Sequence, residues 1–269
     1  MKILFTGHRG FLGRELIPIL GDSFEIVAYQ GDLRNWQEFA KFIETNQIDR
    51  IIHAAVKGGR RNRIETPETL VNNLQTFFNV IKTQIPTITF CSGAIYDRRR
   101  SLNSIAENES GGSMPIDYYG QSKFIINKVA ASEYAVSTLR FFNVFGVSEG
   151  IDRFITFNIS QYVNRKPMVI FNDFYMDFFY VKDLSPVLRA WLDGQKLPKE
   201  MNLVYMHKYL LSEICGIINE LSSYKVPVIQ EGTPSANNYT GDGSLFSRLF
   251  PSALGLERGI YEMYREIYG

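Results

Sequence analysis

Short apolar runs alternate with longer amphipathic runs over the first half of the chain. The apolar runs have the length of buried strands, and the runs between them have a helical period. Strands are predicted at Ile3–Phe5, Phe24–Tyr29, Arg50–Ala55, Ile88–Cys91 and Val136–Phe141. Helices are predicted at Phe11–Leu20, Trp36–Glu44, Glu68–Lys82 and Tyr118–Glu133. This alternation predicts an α/β fold whose strands form a parallel sheet with helices on both faces.

Right-handed crossovers make such a sheet doubly wound, the Rossmann architecture, with its ligand at the carboxyl ends of the strands. The polar stretch 97–116 predicts a long loop, and the alternation loosens after Gly146. Shorter signals at 168–171, 184–191 and 210–222 predict a smaller C-terminal substrate lobe. We therefore expect a dinucleotide-binding domain over residues 1–146. Residues 147–269 are expected to form mainly the substrate lobe, with some segments returning to the Rossmann core.

Composition narrows the class of protein. Of 269 residues, 45% are hydrophobic and 21% charged, which favours a sizeable core over disorder. A net charge of +1 gives no global field that would recruit nucleic acid or an anionic membrane. Two distant cysteines, Cys91 and Cys215, favour a reducing compartment, and no apolar run has the length of a signal peptide or membrane span. We expect a cytoplasmic protein without a metal site.

A glycine-rich turn follows the first strand and opens the first helix. It reads Gly7-His8-Arg9-Gly10-Phe11-Leu12-Gly13. Glycines permit a tight turn and close approach of the backbone to a pyrophosphate, and the helix directs its first N–H groups at that anion. A glycine triplet alone is a weak signal, but its position between a strand and a helix favours a dinucleotide site. Cofactor contacts are predicted at Gly7, Arg9, Gly10, Phe11, Leu12 and Gly13.

Three side chains form a candidate catalytic set. Tyr119 and Lys123 are four residues apart on a predicted helix and share one face. A phenol has a pKa of about 10, and a nearby ammonium lowers it towards useful acid–base chemistry. Ser92 ends a predicted central strand, where its hydroxyl could hydrogen-bond a substrate carbonyl. Each residue alone has an ordinary structural explanation, but their conjunction with the glycine turn favours catalysis.

These segments together resemble the extended short-chain dehydrogenase/reductase family, the epimerase/dehydratase branch. The resemblance rests on Thr6–Gly13, Cys91–Tyr96, Tyr119–Lys123, Leu139–Gly146 and Asp177–Asp183. It implies hydride transfer at a carbon of a nucleotide-linked sugar. It also implies that Tyr119 exchanges the proton, Ser92 positions the sugar oxygen and Lys123 holds the nicotinamide ribose. Further cofactor contacts implied by the family are Asp32, Leu33, Ala54, Ala55, Asn72 and Phe142, and Asn143 is the implied substrate contact.

Departures from the family pattern refine the expected reaction. Met176 stands where the family usually has the arginine that meets the nucleotide diphosphate. Two basic clusters, Arg98–Arg100 and Lys57 with Arg60, Arg61 and Arg63, could replace that arginine or belong to solvated loops. The segments 7–10 and 54–59 resemble the GDP-fucose synthases, which use a cysteine and a histidine for epimerisation. That cysteine position is Ala94 here, and no histidine lies in residues 54–206.

The expected activity is therefore a 4-keto reduction like that of the dTDP-4-dehydrorhamnose reductases. The compact run from Tyr29 into Gly31-Asp32-Leu33 also resembles those enzymes. Three alternatives stay open: an epimerase with tightly held NAD, a reductase of a non-nucleotide carbonyl, and a non-catalytic cofactor-binding protein on the same fold.

Cofactor preference depends on the end of the second strand. An acid there would bind the ribose 2′-hydroxyl of NAD, but the strand ends at Tyr29-Gln30. Arg9 can reach a 2′-phosphate, with Arg34 as a possible second donor, so NADP is expected. NAD, with Asp32 on the ribose, is the alternative.

Apolar residues on two predicted helices indicate a homodimer. These helices carry more apolar residues than packing on one face of the sheet requires, namely Phe77, Phe78, Phe124 and Ile125. Family members pair the corresponding helices into a four-helix bundle. Burial inside the monomer is the alternative explanation.

Overall fold

The computed structural model describes residues 1–59, 64–110, 112–232 and 237–269. In these ranges the strands are β1 (Lys2–Thr6), β2 (Glu25–Val27), β3 (Arg50–His53), β4 (Thr87–Ser92), β5 (Leu102–Ile105), β6 (Val136–Phe141), β7 (Val144–Phe145), β8 (Met168–Ile170), β9 (Phe179–Tyr180), β10 (Glu200–Leu203), β11 (Val228–Gln230) and β12 (Tyr239–Gly241). The α-helices there are α1 (Phe11–Gly21), α2 (Trp36–Asn46), α3 (Pro67–Lys82), α4 (Tyr118–Ser132), α5 (Phe154–Val163), α6 (Leu184–Leu192), α7 (Leu211–Asn219), α8 (Ser244–Leu249) and α9 (Gly255–Tyr268). Short 3-10 turns lie at Gly93–Ile95, Glu107–Glu109 and Val181–Asp183.

Six parallel strands form the central sheet in the order β2-β1-β3-β4-β6-β10. Residues Ile3, Leu4 and Phe5 of β1 are fully buried, as expected for a strand covered on both faces. Leu4 pairs with Val27 of β2 on one side and Ile51 of β3 on the other. The strand order reverses between β1 and β3, which is where doubly wound folds place a ligand. The predicted fold class is confirmed.

The chain divides into two compact units, each built from several segments. The sheet unit comprises Met1–Asp97, Asn108–Arg140 and Ser185–Met201. The second unit comprises Arg98–Glu107, Phe141–Leu184 and Asn202–Gly269. Its core includes the fully buried residues Phe145, Tyr162, Ile214 and Ile260. The division of the chain after Gly146 stays a sequence-based prediction.

The predicted loop 97–116 is not wholly irregular, since it contains β5 and the 3-10 turn Glu107–Glu109. Strand β5 pairs in parallel with β12, which lies more than a hundred residues further along the chain. Its buried residues are only Leu102 and Ile105, separated by two exposed polar positions. Such a strand has no local alternation to reveal it, because its stability comes from a distant partner. Helices α5 and α9 were likewise absent from the sequence-based assignment.

Within the part of the chain that the structure describes, no helix combines the length and apolarity needed to cross a membrane.

Candidate cofactor and catalytic site

At two positions of the turn after β1, neighbouring backbone lies too close for any residue other than glycine. Gly7 has φ +74°, and a Cβ there would lie 2.7 Å from backbone atoms of Ala54 and Ala55. A Cβ on Gly13 would lie 2.4 to 2.6 Å from backbone atoms of His8. Real Cβ atoms do not approach backbone this closely, so any side chain would force the segments apart. The turn after β1 and the segment after β3 therefore touch at the switch point of the sheet.

The start of α1 fits the pyrophosphate of a dinucleotide. Gly10 is exposed, and a Cβ there would meet only the carbonyl of Gly7, at 3.1 Å. No side chain of the described residues caps the helix at Gly10, and its first turn carries no acidic residue. Free N–H groups with the positive end of the helix dipole are suited to an anion. Phe11 and Leu12 are half-buried on the first turn, next to this opening.

The end of β1 is tied to the end of β3 by one hydroxyl. Thr6 Oγ1 accepts the Ala55 N–H at 3.2 Å and lies 2.8 Å from His53 Nδ1, to which it can donate its proton. Burial lowers the pKa of His53 to about 3, and the charge of Lys123 adds to the shift. His53 is therefore neutral at physiological pH and holds the strand ends, which makes it unsuitable as the proton donor of a reaction.

Ser92 ends β4, where the sequence analysis predicted it. Its Oγ accepts the Ala94 N–H at 3.2 Å and so caps the 3-10 turn Gly93–Ile95. The first turn of α4 packs on this segment: a Cβ on Gly120 would lie only 2.7 Å from the carbonyl oxygen of Ala94. The backbones that carry Ser92 and Tyr119 are thus in contact at the carboxyl end of the sheet.

Lys123 faces the interior rather than solvent. Only 6% of the residue is exposed, and its Nζ donates to the Phe90 carbonyl of β4 at 2.6 Å. The same Nζ lies 5.9 Å from the ring centroid of Tyr119. Burial lowers the pKa of Lys123, and the nearby Cys91 opposes that shift. Lys123 is therefore not a solvated surface lysine, and it lies in the interior beside the ring of Tyr119.

The predicted cofactor residues after β2 form two polar pairs. Arg9 donates to Oε1 of Gln30, directly beyond the second strand. Arg34 donates to Oδ2 of Asp32 at 2.7 Å and to Oδ1 at 3.0 Å, and this hydrogen bonding lowers the pKa of Asp32. The carbonyl of Leu33 accepts from the Asn79 side chain of α3 at 2.8 Å. Arg34 is thus already neutralised by Asp32, whereas Arg9 has a neutral partner.

On α3 the structure singles out Asn73, a residue that the sequence analysis missed. Asn72 is half-buried, and its cofactor contact stays a prediction. Asn73 is 2% exposed, and its amide bonds both backbone groups of Lys57, at 2.8 and 2.9 Å. The helical spacing of Asn73 could have indicated that it is buried, because it lies on the same face of α3 as Thr69, Thr76, Phe77 and Val80.

The remaining predicted residues lie in the second unit or on loops. Phe142 packs on Tyr239 with ring centroids 5.0 Å apart, and Asn143 Nδ2 donates to the Asp177 carbonyl at 2.9 Å. Their ligand contacts stay predictions, as does the replacement for arginine at Met176. Lys57 forms an ion pair with Glu68 at 2.9 Å. Arg98, Arg99 and Arg100 are exposed, whereas Arg60, Arg61 and Arg63 lie outside the described residues.

The chain is an NAD(P)-dependent enzyme of the extended short-chain dehydrogenase/reductase type. The chain belongs to the NAD dependent epimerase/dehydratase family, whose family model matches residues 3–203.

Individual relatives agree with this assignment. The chain is 24% identical over 246 residues to a GDP-6-deoxy-D-talose 4-dehydrogenase from Aggregatibacter actinomycetemcomitans, covering 86% of this chain and 83% of that protein. The structure of a GDP-mannoheptose C4 reductase from Campylobacter jejuni with NADP bound is similar, with a TM-score of 0.84, 18% identity, and coverage of 100% and 98%. The Bordetella bronchiseptica enzyme WbmG in complex with NAD has a TM-score of 0.82, 18% identity, and coverage of 100% and 95%. These structures share the fold with this chain.

Proposed function

We propose that this chain reduces the 4-keto group of a nucleotide-linked sugar, with NADPH as the hydride donor. NADPH, held by the glycine turn 7–13 and by Lys123, would supply the hydride, and Tyr119 supplies the proton to the carbonyl oxygen. Lys123 stabilises the phenolate left behind, and Ser92 donates a hydrogen bond that holds the oxygen in line. The product is an alcohol, and the phenol is reprotonated from solvent.

The observation that carries reduction is Ala94. This buried methyl group, 3% exposed, occupies the position two residues after Ser92 where GDP-fucose synthases carry the cysteine used for epimerisation. His53, held by Thr6 with its pKa near 3, offers no replacement acid. Hydride transfer with one proton donor needs no second acid–base group, whereas epimerisation beside the keto carbon does. The similarity to a GDP-linked sugar dehydrogenase supports a nucleotide-linked substrate.

The test is a screen of nucleotide-linked 4-keto sugars, with GDP, UDP and dTDP as the nucleotides. Purified protein is mixed with each sugar and NADPH, and the loss of NADPH absorbance is followed. Stoichiometric formation of the 4-hydroxy product supports the proposal. A 4-epimerase would use the same three side chains with tightly held NAD. Release of NAD from denatured protein, together with sugar interconversion without added cofactor, would establish that activity and overturn reduction.

We expect Arg9 to determine preference for NADPH. Its guanidinium is exposed and donates to the neutral amide of Gln30, and a guanidinium is suited to bind a 2′-phosphate. The substitution Arg9→Ala should weaken NADPH binding about tenfold, because one charge-assisted contact is lost, and should leave NADH binding nearly unchanged. Fluorescence titration with each cofactor measures both affinities.

Arg34→Ala is the matched control for that titration. Because Arg34 already pairs with Asp32 at an exposed position, this variant should lower NADPH affinity less than Arg9→Ala does. Tighter binding of NADH that is indifferent to Arg9 would contradict the prediction and return the ribose contact to Asp32 or Gln30.

We further propose a homodimer formed through the outer faces of α3 and α4. Of the four apolar residues that predicted it, Phe77 does not lie on these faces. Phe77 is fully buried against Ile126, Ala130 and Val136 and is not part of an outward face. Phe78 is 43% exposed, and Phe124 and Ile125 are half-buried.

Light scattering should therefore give twice the chain mass of 30.9 kDa for the wild type, and Phe78→Asp should give the single-chain mass. Ile151→Asp, at an exposed position in the second unit, is the control and should stay dimeric. A monomeric wild type at micromolar concentration would refute the dimer.

A further inference from the structure

One carboxylate joins the segment after β3 to the first turn of α4. Glu65 Oε1 accepts the Gly59 N–H at 2.8 Å, and Glu65 Oε2 accepts the Tyr119 N–H at 2.9 Å. A carboxylate has only acceptor atoms, so it is suited to bridging two backbone donors. The same helix turn is capped separately, since Asp117 accepts the Gly120 N–H at 2.7 Å. Glu65 is thus not needed as the cap of α4, and its distinctive contact is with Gly59.

The backbone that Glu65 holds lies against the ring of Tyr119. Gly58 and Gly59 have φ of +91° and +78°, a conformation that favours glycine. A Cβ on Gly59 would lie 3.0 Å from the ring carbon that bears the Tyr119 hydroxyl and 3.1 to 3.3 Å from its two neighbours. The contact is therefore at the reactive end of the phenol, and movement of this backbone would change where the hydroxyl can point.

The other end of the same segment is also tied to α4. The amide of Asn73, which holds Lys57, donates in addition to Ser122 Oγ at 3.0 Å. Ser122 Oγ in turn donates to the Tyr119 carbonyl at 2.7 Å. Both anchors of the Lys57–Gly59 segment thus reach the turn of helix that carries Tyr119. Glu65 is half-exposed, whereas Asn73 is buried, so the Glu65 anchor is the one to remove by substitution.

We propose that Glu65 is a positioning residue, which latches the Lys57–Gly59 segment over Tyr119 and thereby fixes the orientation of its phenol for proton transfer. The kinetic part of this inference rests on the proposed function. The geometric part, that one carboxylate couples Gly59 to Tyr119, does not require it.

Glu68 provides a matched control. It lies three residues after Glu65, and its carboxylate forms an exposed ion pair with the side chain of Lys57. Replacing Glu68 by alanine therefore removes the same charge near the same segment, and no described contact joins Glu68 to Tyr119. Exposed ion pairs of this kind contribute little to stability, so Glu68→Ala should behave as the wild type.

Hydrogen exchange followed by mass spectrometry tests the coupling without a substrate. In Glu65→Ala, peptides spanning 54–59 and 118–124 should exchange about tenfold faster, because two amide protons lose their acceptor. Glu68→Ala should exchange as the wild type does. Unchanged exchange in Glu65→Ala would overturn the latch, whether or not the chain is a reductase.

Kinetics on the substrate found in the screen separates positioning from mere stability. For Glu65→Ala we expect kcat to fall roughly 10- to 100-fold, since small misplacement of a reacting group is costly, with the KM for NADPH within about twofold. Glu65→Gln retains one acceptor oxygen, so its kcat should be at least about threefold higher than that of Glu65→Ala. Equal kcat in Glu65→Ala and Glu68→Ala, or no recovery with glutamine, would overturn the role of Glu65. If no substrate is turned over by the wild type, the proposed function fails while the exchange result still stands.

Discussion

Replacing Tyr119 by phenylalanine is expected to lower kcat roughly 10²- to 10⁴-fold, the usual contribution of a general acid. The change removes one hydroxyl and little volume, so the contact of the ring with Gly59 survives. Lys123 keeps its bond to the Phe90 carbonyl because that bond does not involve the phenol. NADPH affinity should consequently stay within about threefold of the wild type, which separates loss of chemistry from loss of binding.

The measurement is steady-state reduction of the sugar identified in the screen, alongside NADPH titration. Tyr118→Phe is the matched control, since it removes a hydroxyl from the adjacent position on α4 and should leave kcat nearly unchanged. Retention of more than about one-third of wild-type turnover by Tyr119→Phe would show that another group donates the proton, because such a loss is far below that of a general acid.

The parts of the site that follow local sequence rules were predictable. The glycine turn, the end of β4 and the helical spacing of Tyr119 and Lys123 are each set by a short stretch of chain. Strand β6 begins and ends where the apolar run predicted it. In these cases pattern, turn chemistry and the family motif point to one structure.

The parts that depend on distant partners were not predictable. Glu65 lies two residues before α3, and nothing local shows that it reaches Tyr119, 54 residues away. Gly59 was noted only as part of the family-like segment 54–59, yet a Cβ there would lie 3.0 Å from the Tyr119 ring of another element. Residues with little local preference acquire their roles from tertiary contacts, and these contacts are invisible to periodicity.

The helix that carries Tyr119 also contacts a buried polar cluster that the sequence pattern did not identify. Arg140 of β6 is fully buried, and the sequence analysis assigned it no role. Its guanidinium donates to the Tyr96 hydroxyl and to Asn127 Oδ1, each at 3.0 Å, and pairs with Glu200 of β10. One side chain thus joins the segment after Ser92, the helix that carries Tyr119, and two strands of the sheet.

Removing the carboxylate from this cluster is expected to be the most destabilising of the changes considered. Glu200→Ala removes the carboxylate that pairs with the buried Arg140 guanidinium, and breaking such a pair costs about 3 to 5 kcal/mol. Asn127 Nδ2, which donates to the same carboxylate at 3.2 Å, also loses its acceptor. Urea unfolding should show a lower midpoint with an unchanged m-value. Glu25→Ala is the control, because the Lys2–Glu25 pair is exposed and should contribute no more than about 1 kcal/mol. Similar midpoints for the two variants would mean that water or another group compensates Arg140, and the cluster would then not be what holds the catalytic helix to the sheet.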